Sequence, residues 1–549
     1  MKNALIISVS ALALGACNDD SASNGDIAIT PVDEATAASA LEALHLANSG
    51  DGVVSWDSRS FDDGVYTFTG LTFVFPEDEE KREGEEEAGA SAGVEFSTNT
   101  MTAESMTLAS PRFDADGNVI FDRLAINAMT LGTDDDEFDG TIDGFVIEQP
   151  SADLVATLAH GFSGDASGDD GFDEGDWTYG LFAVEGVNIA GTEDGNSFTA
   201  RLGRLAIDDL TEFTIGRFEL LDFAVEGMDD EVGIINFRVD EMSADGIGEG
   251  ITYPFAAQFA MMGSAFSPDT PNEDITAGMP EMPEDFDPLD AYDSATIRGL
   301  NANIGGITVT LDSLTANVDD DGDEVRYVSE MTPLVIAPDA NYPLGAQMQM
   351  GLGMLGYQQL EFVSEGASVY EREADRAYTD GGNYFEMRDG FRVEVESDMS
   401  GLMAYSLAAL QMGYTMDEPD PEQVLSLLDP LVLRNFVFRL EDLSLLDRAL
   451  TAASAMQGMP KEQLRMQAGA MITMGTMAAP AEIPRALLTE FSTAMTNFIA
   501  NGGTVEVRIS PDNPVRIADL VAQAEAGTLD YEAMGISITS VPAEEDGTE

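Results

Sequence analysis

Between residues 53 and 250 the chain alternates apolar and polar side chains in short runs rich in Thr, Val, Phe and Ile, such as Val65-Tyr66-Thr67-Phe68-Thr69, and Asp-Gly or Gly-Asp punctuates them. A two-residue period puts every second side chain on one face of a strand, and frequent turn dipeptides bring the chain back beside itself. The pattern therefore predicts antiparallel hairpins in series. The pentapeptide Phe-Ala-Val-Glu-Gly occurs at 182–186 and again at 223–227, each time followed by an acidic turn and a second strand, around Phe198 and Phe237. That is a repeat the size of a hairpin. Similar phrases at 121–126, 202–207 and 311–316 echo one another too loosely for the sharp period of a solenoid or propeller. The expected fold class is α+β: a long antiparallel β-sheet built of serial hairpins, with a mainly helical C-terminal region.

Ahead of the strands, Ala37, Leu41, Leu44 and Ala47 recur at helical spacing within residues 33–48, between Pro31 and Gly50, which predicts a short amphipathic helix. An apolar stretch at 253–266 reads as helical, and residues 267–288, rich in Pro, Asp and Glu, read as a domain boundary. Strands follow at 366–370 and 383–396, while the glycines at 345, 351 and 353 weigh against a helix at 344–355. Helices are expected at 402–414, 421–428, 443–457, 461–477 and 484–500, then strand, helix and strand at 504–509, 515–526 and 536–541. The organisation is thus an export segment at 1–17, a tether at 18–32, a helix plus antiparallel β domain at 33–265, a linker at 266–290, a second β region at 291–400, a helical region at 401–503, and a strand-helix-strand end with an acidic tail at 504–549. Tyr253, an apolar helix, an acidic turn and Asp287-Pro288-Leu289 are echoed by Tyr405, an apolar helix, an acidic turn and Asp429-Pro430-Leu431, as an internal duplication would leave.

An apolar content of 44% is enough to bury real cores, so this is a folded chain. Lys and Arg total 24 against 102 Asp and Glu, a formal charge of −78. Nucleic acid is excluded as a partner, because phosphate backbones are held by clustered Lys and Arg. The same deficit excludes a polybasic membrane-binding surface. Such an excess of acid suits a saline environment, a cationic partner or divalent ions. The single cysteine, Cys17, leaves no intramolecular disulfide, so stability must come from packing.

Lys2 precedes an apolar run at 4–14 that ends in Leu14-Gly15-Ala16-Cys17. The run is too short to span a bilayer, which takes about 20 apolar residues, and has the layout of a secretory signal. Leu14-Gly15-Ala16-Cys17 resembles the lipobox of bacterial lipoproteins. That resemblance implies a diacylglyceryl thioether on Cys17 and acylation of its amine once the signal is cut, giving a lipid-anchored protein of the cell envelope. Asn18 follows the cysteine, with the aspartates at Asp19 and Asp20, which by the same resemblance favours the outer over the inner membrane, the bulk of the chain being periplasmic or surface-exposed. The Leu-x-x-Leu-x-Ile/Ala strand phrases, the serial hairpins and a C-terminal part containing Phe438-Arg439-Leu440-Glu441-Asp442-Leu443-Ser444 also resemble, in texture, uncharacterised proteobacterial envelope proteins, including the AsmA-like group. There the extended curved sheets are implicated in lipid traffic, so the resemblance implies a lipid-handling alternative.

Asp319, Asp321 and Asp323 occupy the first, third and fifth ligand positions of a calcium loop, with Glu330 at the twelfth. Glu324 stands where an EF-hand needs glycine and the flanks read as strands, so a hairpin turn on Asp-Gly is the simpler reading. Asp114-Ala115-Asp116-Gly117-Asn118 is a weaker version, with Ala125 at its twelfth place, and 165–176 is an acidic, Gly-rich loop. Met471, Met474 and Met477 repeat at helical spacing near Met456, Met459 and Met466. A stripe of that kind reads first as core, then as the lining of a lipid groove, then as thioether ligands for Cu(I). His45 and His160 are the only imidazoles, and no nucleophile elbow, phosphate loop or dinucleotide fingerprint is present. The chain reads as a non-enzymatic, lipid-anchored scaffold or partner-binding protein; the alternatives are a lipid-binding or lipid-transfer module and a calcium-stabilised surface or adhesion protein, so an envelope protein or a lipid is the expected partner. No cofactor is expected, other than the calcium of the third alternative. Replacing Cys17 with Ser should move the protein from the membrane to the soluble fraction on cell fractionation, and a membrane-bound variant would overturn the lipobox reading.

Overall fold

A computed structural model describes residues 27–74, 100–132, 138–164, 177–193, 196–211, 213–229, 233–254, 286–415, 425–479 and 483–542. Cys17, the 165–176 loop, most of the 253–266 stretch and of the 266–290 linker, and the 543–549 tail lie outside them. The chain forms two compact units, Met1–Gly248 and Glu249–Glu549.

The first unit opens with α1 (Glu34–Ala43), whose amides on Ala35 and Thr36 are capped by Asp33 at 3.1 and 3.0 Å. The helix stops short of the expected Asn48 because the Leu46 N–H returns to the Leu41 carbonyl while His45 turns left-handed, φ 55°. Then come β1 (Val54–Ser55), β2 (Ser58–Asp62), β3 (Val65–Val74), β4 (Thr100–Ala109), the small hairpin β5 (Arg112–Phe113) and β6 (Val119–Ile120), β7 (Arg123–Gly132) and β8 (Phe138–Glu148). After α2 (Ala152–Ser163) follow β9 (Tyr179–Glu193), β10 (Asn196–Leu210), β11 (Ile215–Asp229) and β12 (Gly233–Ile247). Every pairing is antiparallel, in the order β3, β4, β7, β8, β9, β10, β11, β12, with β1 and β2 end to end along β3. This is the expected sheet of serial hairpins. Leu41 and Leu44 from the first helical segment and Leu154 and Val155 from α2 join Phe68, Met106, Leu124, Ile147 and Val184 in one buried core.

A shared interruption crosses this sheet. Phe68 and Leu71, Ala103 and Met106, Ile126 and Met129, Ile142 and Phe145, Val184 and Val187, Leu202 and Leu205, and Leu220 and Phe223 all reach the same core, although a regular strand sends residues three apart to opposite faces. On β3, β7, β9 and β11 the step falls at a left-handed residue: Gly70 (φ 63°), Ala128 (52°), Gly186 (67°) and Asp222 (50°). Register passes through unchanged, for Val184 pairs with Leu205 on one side of the step and Val187 with Leu202 on the other. Because the neighbouring strand steps at the same level, no strand loses alignment with the next. Two parallel rows of apolar side chains result, where perfect alternation would leave one row facing solvent. Gly70 and Gly186 have a second reason to be glycine: a Cβ would collide with the carboxylates of Asp57 and Asp143.

The second unit uses the same device. Strands β13 (Ser294–Ile304), β14 (Ile307–Asp320), β15 (Glu324–Pro338) and β16 (Leu360–Glu371) pair in sequence, and Gly299 (φ 63°) stands between Ile297, paired with Leu314, and Leu300, paired with Leu311. Next, β17 (Arg376–Thr379) and β18 (Tyr384–Met387) together form one broken strand between β16 and β19 (Phe391–Ser400). Asn383 bridges the break, accepting from the Ala367 amide at 3.0 Å and donating to its carbonyl. The order continues through β20 (Val432–Asp442), β21 (Gly503–Ile509) and β23 (Ile536–Val541), with β22 (Val515–Arg516) against the far end of β20. Helices fill the connections between strands: α3 (Pro343–Met354), α4 (Leu402–Thr415), then α5 (Leu445–Gln457), α6 (Lys461–Met477) and α7 (Arg485–Asn501) between β20 and β21, and α8 (Ile517–Glu525) before β23.

Several expectations are corrected. The second unit begins at Glu249, ahead of the 266–290 linker, because the Gly250 amide donates to Asp290 (2.8 Å) and the Asp287 amide to Glu249 (2.6 Å), tying the two sides of that segment together. Residues 291–400, 401–503 and 504–549 belong to one unit, since β20 pairs with both β19 and β21. The 401–503 region is therefore not wholly helical, and Phe438, Leu440 and Asp442 lie on a strand. Residues 343–354 form a helix despite their glycines, started by Pro343 at its first turn and packed through Leu352 against Tyr357 and Met387. The two halves of the Tyr253/Tyr405 echo share a local contact: Gly250 lies against the Pro288 carbonyl and Gly401 against the Pro430 carbonyl, each too closely for a Cβ. The step yields a stability prediction. Gly186→Ala should cost about 1–3 kcal/mol in chemical denaturation, from left-handed strain and collision with Asp143. Gly132→Ala, at a position with open space around it, should stay within about 0.5 kcal/mol.

Candidate functional site

The 319–323 turn joins β14 to β15. The Gly322 amide donates to Asp320, and the Asp323 and Glu324 amides donate to Asp321, at 2.8 to 3.1 Å. Glu330 pairs with Thr315 six residues along β15, roughly 20 Å from the turn at strand rise, so it does not share a coordination sphere with Asp319, Asp321 and Asp323. Arg372 reaches Asp320 (2.5 Å) and Asp287, fastening the turn to the C-terminal end of the 266–290 segment. Burial opposes ionisation of Asp320, but the Gly322 amide and the Arg372 guanidinium outweigh it and hold the carboxyl below its usual range. Among the described residues no group of three or more His, Cys, Asp or Glu is placed to hold a metal ion. The Asp114 turn closes the small β5–β6 hairpin, its carboxylate accepting from the Asp116 and Asn118 amides at 2.9 Å. His45 and His160 are both exposed.

In the first unit two carboxyls, Glu148 buried and Asp208 half-buried, stand out from the acidic background. Glu148 and Asp208 lie opposite Leu181 from its two sides, so they share a face about 9.5 Å apart across β9. Burial pushes both upward, against the pull of Arg123 on Glu148 and of Arg204 and Arg217 on Asp208. They belong to a cross-strand row that runs Arg123, Glu148, Leu181, Asp208, Arg217, Asp245, in which each of the two acids has an arginine on its outer side. In the second unit a polar notch of about 150 Å³ opens between Tyr292, Tyr327, Ser329, Gly366 and Asn383. That is below the roughly 300 Å³ at which small-molecule pockets begin. Two of its polar groups are engaged: Asn383 bridges the broken strand, and Tyr327, its phenol pushed up to about 12 by burial, donates to the Leu289 carbonyl at 3.2 Å.

The methionine stripe of the C-terminal helices does not fill a core. Met456 on α5 and Met466, Met471, Met474 and Met477 on α6 are 57 to 74% exposed. The layering explains this. Helix α7 packs on β21 and β23, α6 packs on α7, and α5 packs on α6. The inward stripe of α6 is short and small: Leu464 and Gly469 are buried, and Gly469 lets Thr496 of α7 approach closely. Asp447 on α5 joins the helices, accepting from Lys461 (2.8 Å) and Arg465 (3.2 Å). At 100° per residue, Met466, Met471, Met474 and Met477 fall within about 140° of arc, on the side away from that stripe. From Met466 to Ala481 there is no charged residue, in a chain of net charge −78; such a run reads as core in the sequence, and it is the layering of the helices that leaves it exposed. Across residues 443–505, Asp447, Glu462, Glu482 and Glu490 are matched by Arg448, Lys461, Arg465 and Arg485. An exposed, uncharged apolar face on a polyanion is the strongest candidate functional surface among the described residues.

A family model described as an uncharacterised protein matches residues 384–541, from the first residue of β18 to the last of β23. The match therefore takes in α5, α6 and α7 along with the strands that carry them. Comparison with curated proteins finds no match.

The Asp447 link gives a pH prediction. The hydrogen bond from Lys461 leads in holding Asp447 below the usual carboxylate range, with Arg465 adding to it. The resulting stability is complete above the unfolded-state value of about 3.9 and drains away as pH falls through the lower folded-state value. Amide exchange in α6, corrected for intrinsic rate, should therefore hold steady from pH 7 to pH 5 and accelerate below about pH 4. Asp447→Asn should show the faster exchange already at pH 7.

Proposed function

We propose that this chain is a lipid-anchored, non-enzymatic protein of the bacterial cell envelope, tethered through Cys17, that docks an envelope partner on the outward face of α5 and α6. The observation that carries the reading is the methionine face itself: five thioether side chains exposed on two helices that carry two acidic and three basic residues between them, in a chain of net charge −78. Most of the surface repels anionic neighbours, whereas this face presents soft, adaptable apolar area of the kind used at protein-binding surfaces. The alternation of strand and helix gives the face a rigid base, because α7 seats it on β21 and β23.

A photo-crosslinking residue placed at Met474 in cells should yield a discrete protein adduct, and one placed at Met228, exposed on β11 of the other unit, should not. Placing a charge in the face with Met471→Glu should weaken binding of the identified partner by about tenfold or more, equivalent to about 1.4 kcal/mol. Adducts formed with lipid alone would replace the protein partner by the lipid-binding alternative. Equal labelling at both positions would overturn the assignment of the site.

A further inference from the structure

The exposed stripe also carries donor chemistry. Met471, Met474 and Met477 lie on successive turns of α6, each 57 to 71% exposed. Thioether sulfur is a soft, neutral ligand that selects Cu(I)-like cations over the hard ions favoured by carboxylates. Residues three apart on a helix have their Cβ atoms about 5–6 Å apart, a gap that two flexible methionine arms can close around one ion. Met471 and Met477 are six residues apart, about 9 Å along the axis, too far to replace a neighbouring pair. Met474 is therefore common to both pairs. The charge-free stretch from Met466 to Ala481 keeps carboxylates off the same segment; the one carboxylate of α6, Glu462, lies more than two turns before Met471. The net charge of −78 meanwhile concentrates cations around the chain.

We propose that Met471, Met474 and Met477 form two overlapping Met-x-x-Met sites for a soft monovalent d10 cation of the Cu(I) class, with Met474 as the shared ligand. The inference rests on the exposure of the methionine face, but it does not depend on the face docking a partner. Binding retains both the cation's oxidation state and the protein's bonds; two thioether lone pairs replace the water or buffer ligands of the ion.

The test uses the full chain carrying Cys17→Ser, so that no thiol takes the metal, titrated with Ag(I) as a redox-stable probe and followed by the methyl resonances of 13C-labelled methionine. The resonances of Met471, Met474 and Met477 should move first and saturate together near one equivalent. Met474→Leu should abolish the response, whereas Met471→Leu or Met477→Leu alone should leave one pair and a weakened response. Met350→Leu with Met354→Leu on α3, both exposed, should change nothing at α6. Leucine keeps the face apolar, so Met474→Leu should still crosslink its partner from a neighbouring position, and failure of one reading is separable from failure of the other. Uniform movement of all exposed methionines, or a Met474→Leu response equal to that of the parent chain, would overturn the proposal.

Discussion

What the rest of the structure depends on is a step taken by neighbouring strands at the same level. A strand of 15 residues such as β9 or β11 cannot keep one face buried by alternation alone once a residue turns left-handed in its middle. Here the interruption is matched across the hydrogen-bonded neighbours, so Val184 and Val187 both remain against the core while the pairing with Leu205 and Leu202 is undisturbed. A single strand stepping alone would slip its register or turn apolar side chains outward. Left-handed backbone at Ala128 and Asp222 costs about 1–2 kcal/mol each relative to a relaxed strand, and the two apolar rows offset it.

The second constraint is charge. With 24 basic residues among 102 acidic ones, the sheets place arginine where one guanidinium serves several carboxylates. Arg204 on β10 reaches Glu185 on β9 and Glu219 on β11, and Arg439 on β20 reaches Glu396 on β19 and Glu506 on β21 at 2.5 and 2.7 Å. In both cases the cation occupies the central strand and the anions flank it. Cross-strand repulsion thereby becomes cross-strand attraction, within the modest range open to partly exposed pairs. The methionine helices solve the same problem differently, by carrying few charges and balancing those they have.

Legibility in the sequence followed the strength of the local signal. Residues 461–477 and 536–541 form the expected helix and strand without adjustment, because capping prolines, period and composition agree there. The strand at 432–442 was hidden because Leu443, Leu445 and Leu446 follow within four residues of its end, so a two-residue period and a helical one overlap. The helix at 343–354 was hidden for the opposite reason. Its glycines argue against it locally, while Gly345 is required by the closeness of the Asp339 and Gly306 carbonyls, a contact only the folded chain contains. The strand step left a trace in the Leu-x-x-Leu phrases, such as Leu202 with Leu205 and Leu311 with Leu314, whose spacing makes sense once the step is known. The methionine stripe had both the spacing and the lack of charge of a core, and its exposure follows from the stacking of α5 on α6 and α6 on α7, which local sequence does not encode.

Because the step leaves register untouched, it also determines how such a sheet can lengthen. A new hairpin inserted beside an existing one has to supply only two apolar residues three apart and a permissive residue between them; it need not renegotiate alignment with strands further away. Sheet width is then a nearly free variable, as repeat number is in solenoids, although no fixed sequence period records the additions. The chain at β9 to β12, four strands of 15 residues with a pentapeptide used twice, has the form such stepwise widening would leave behind.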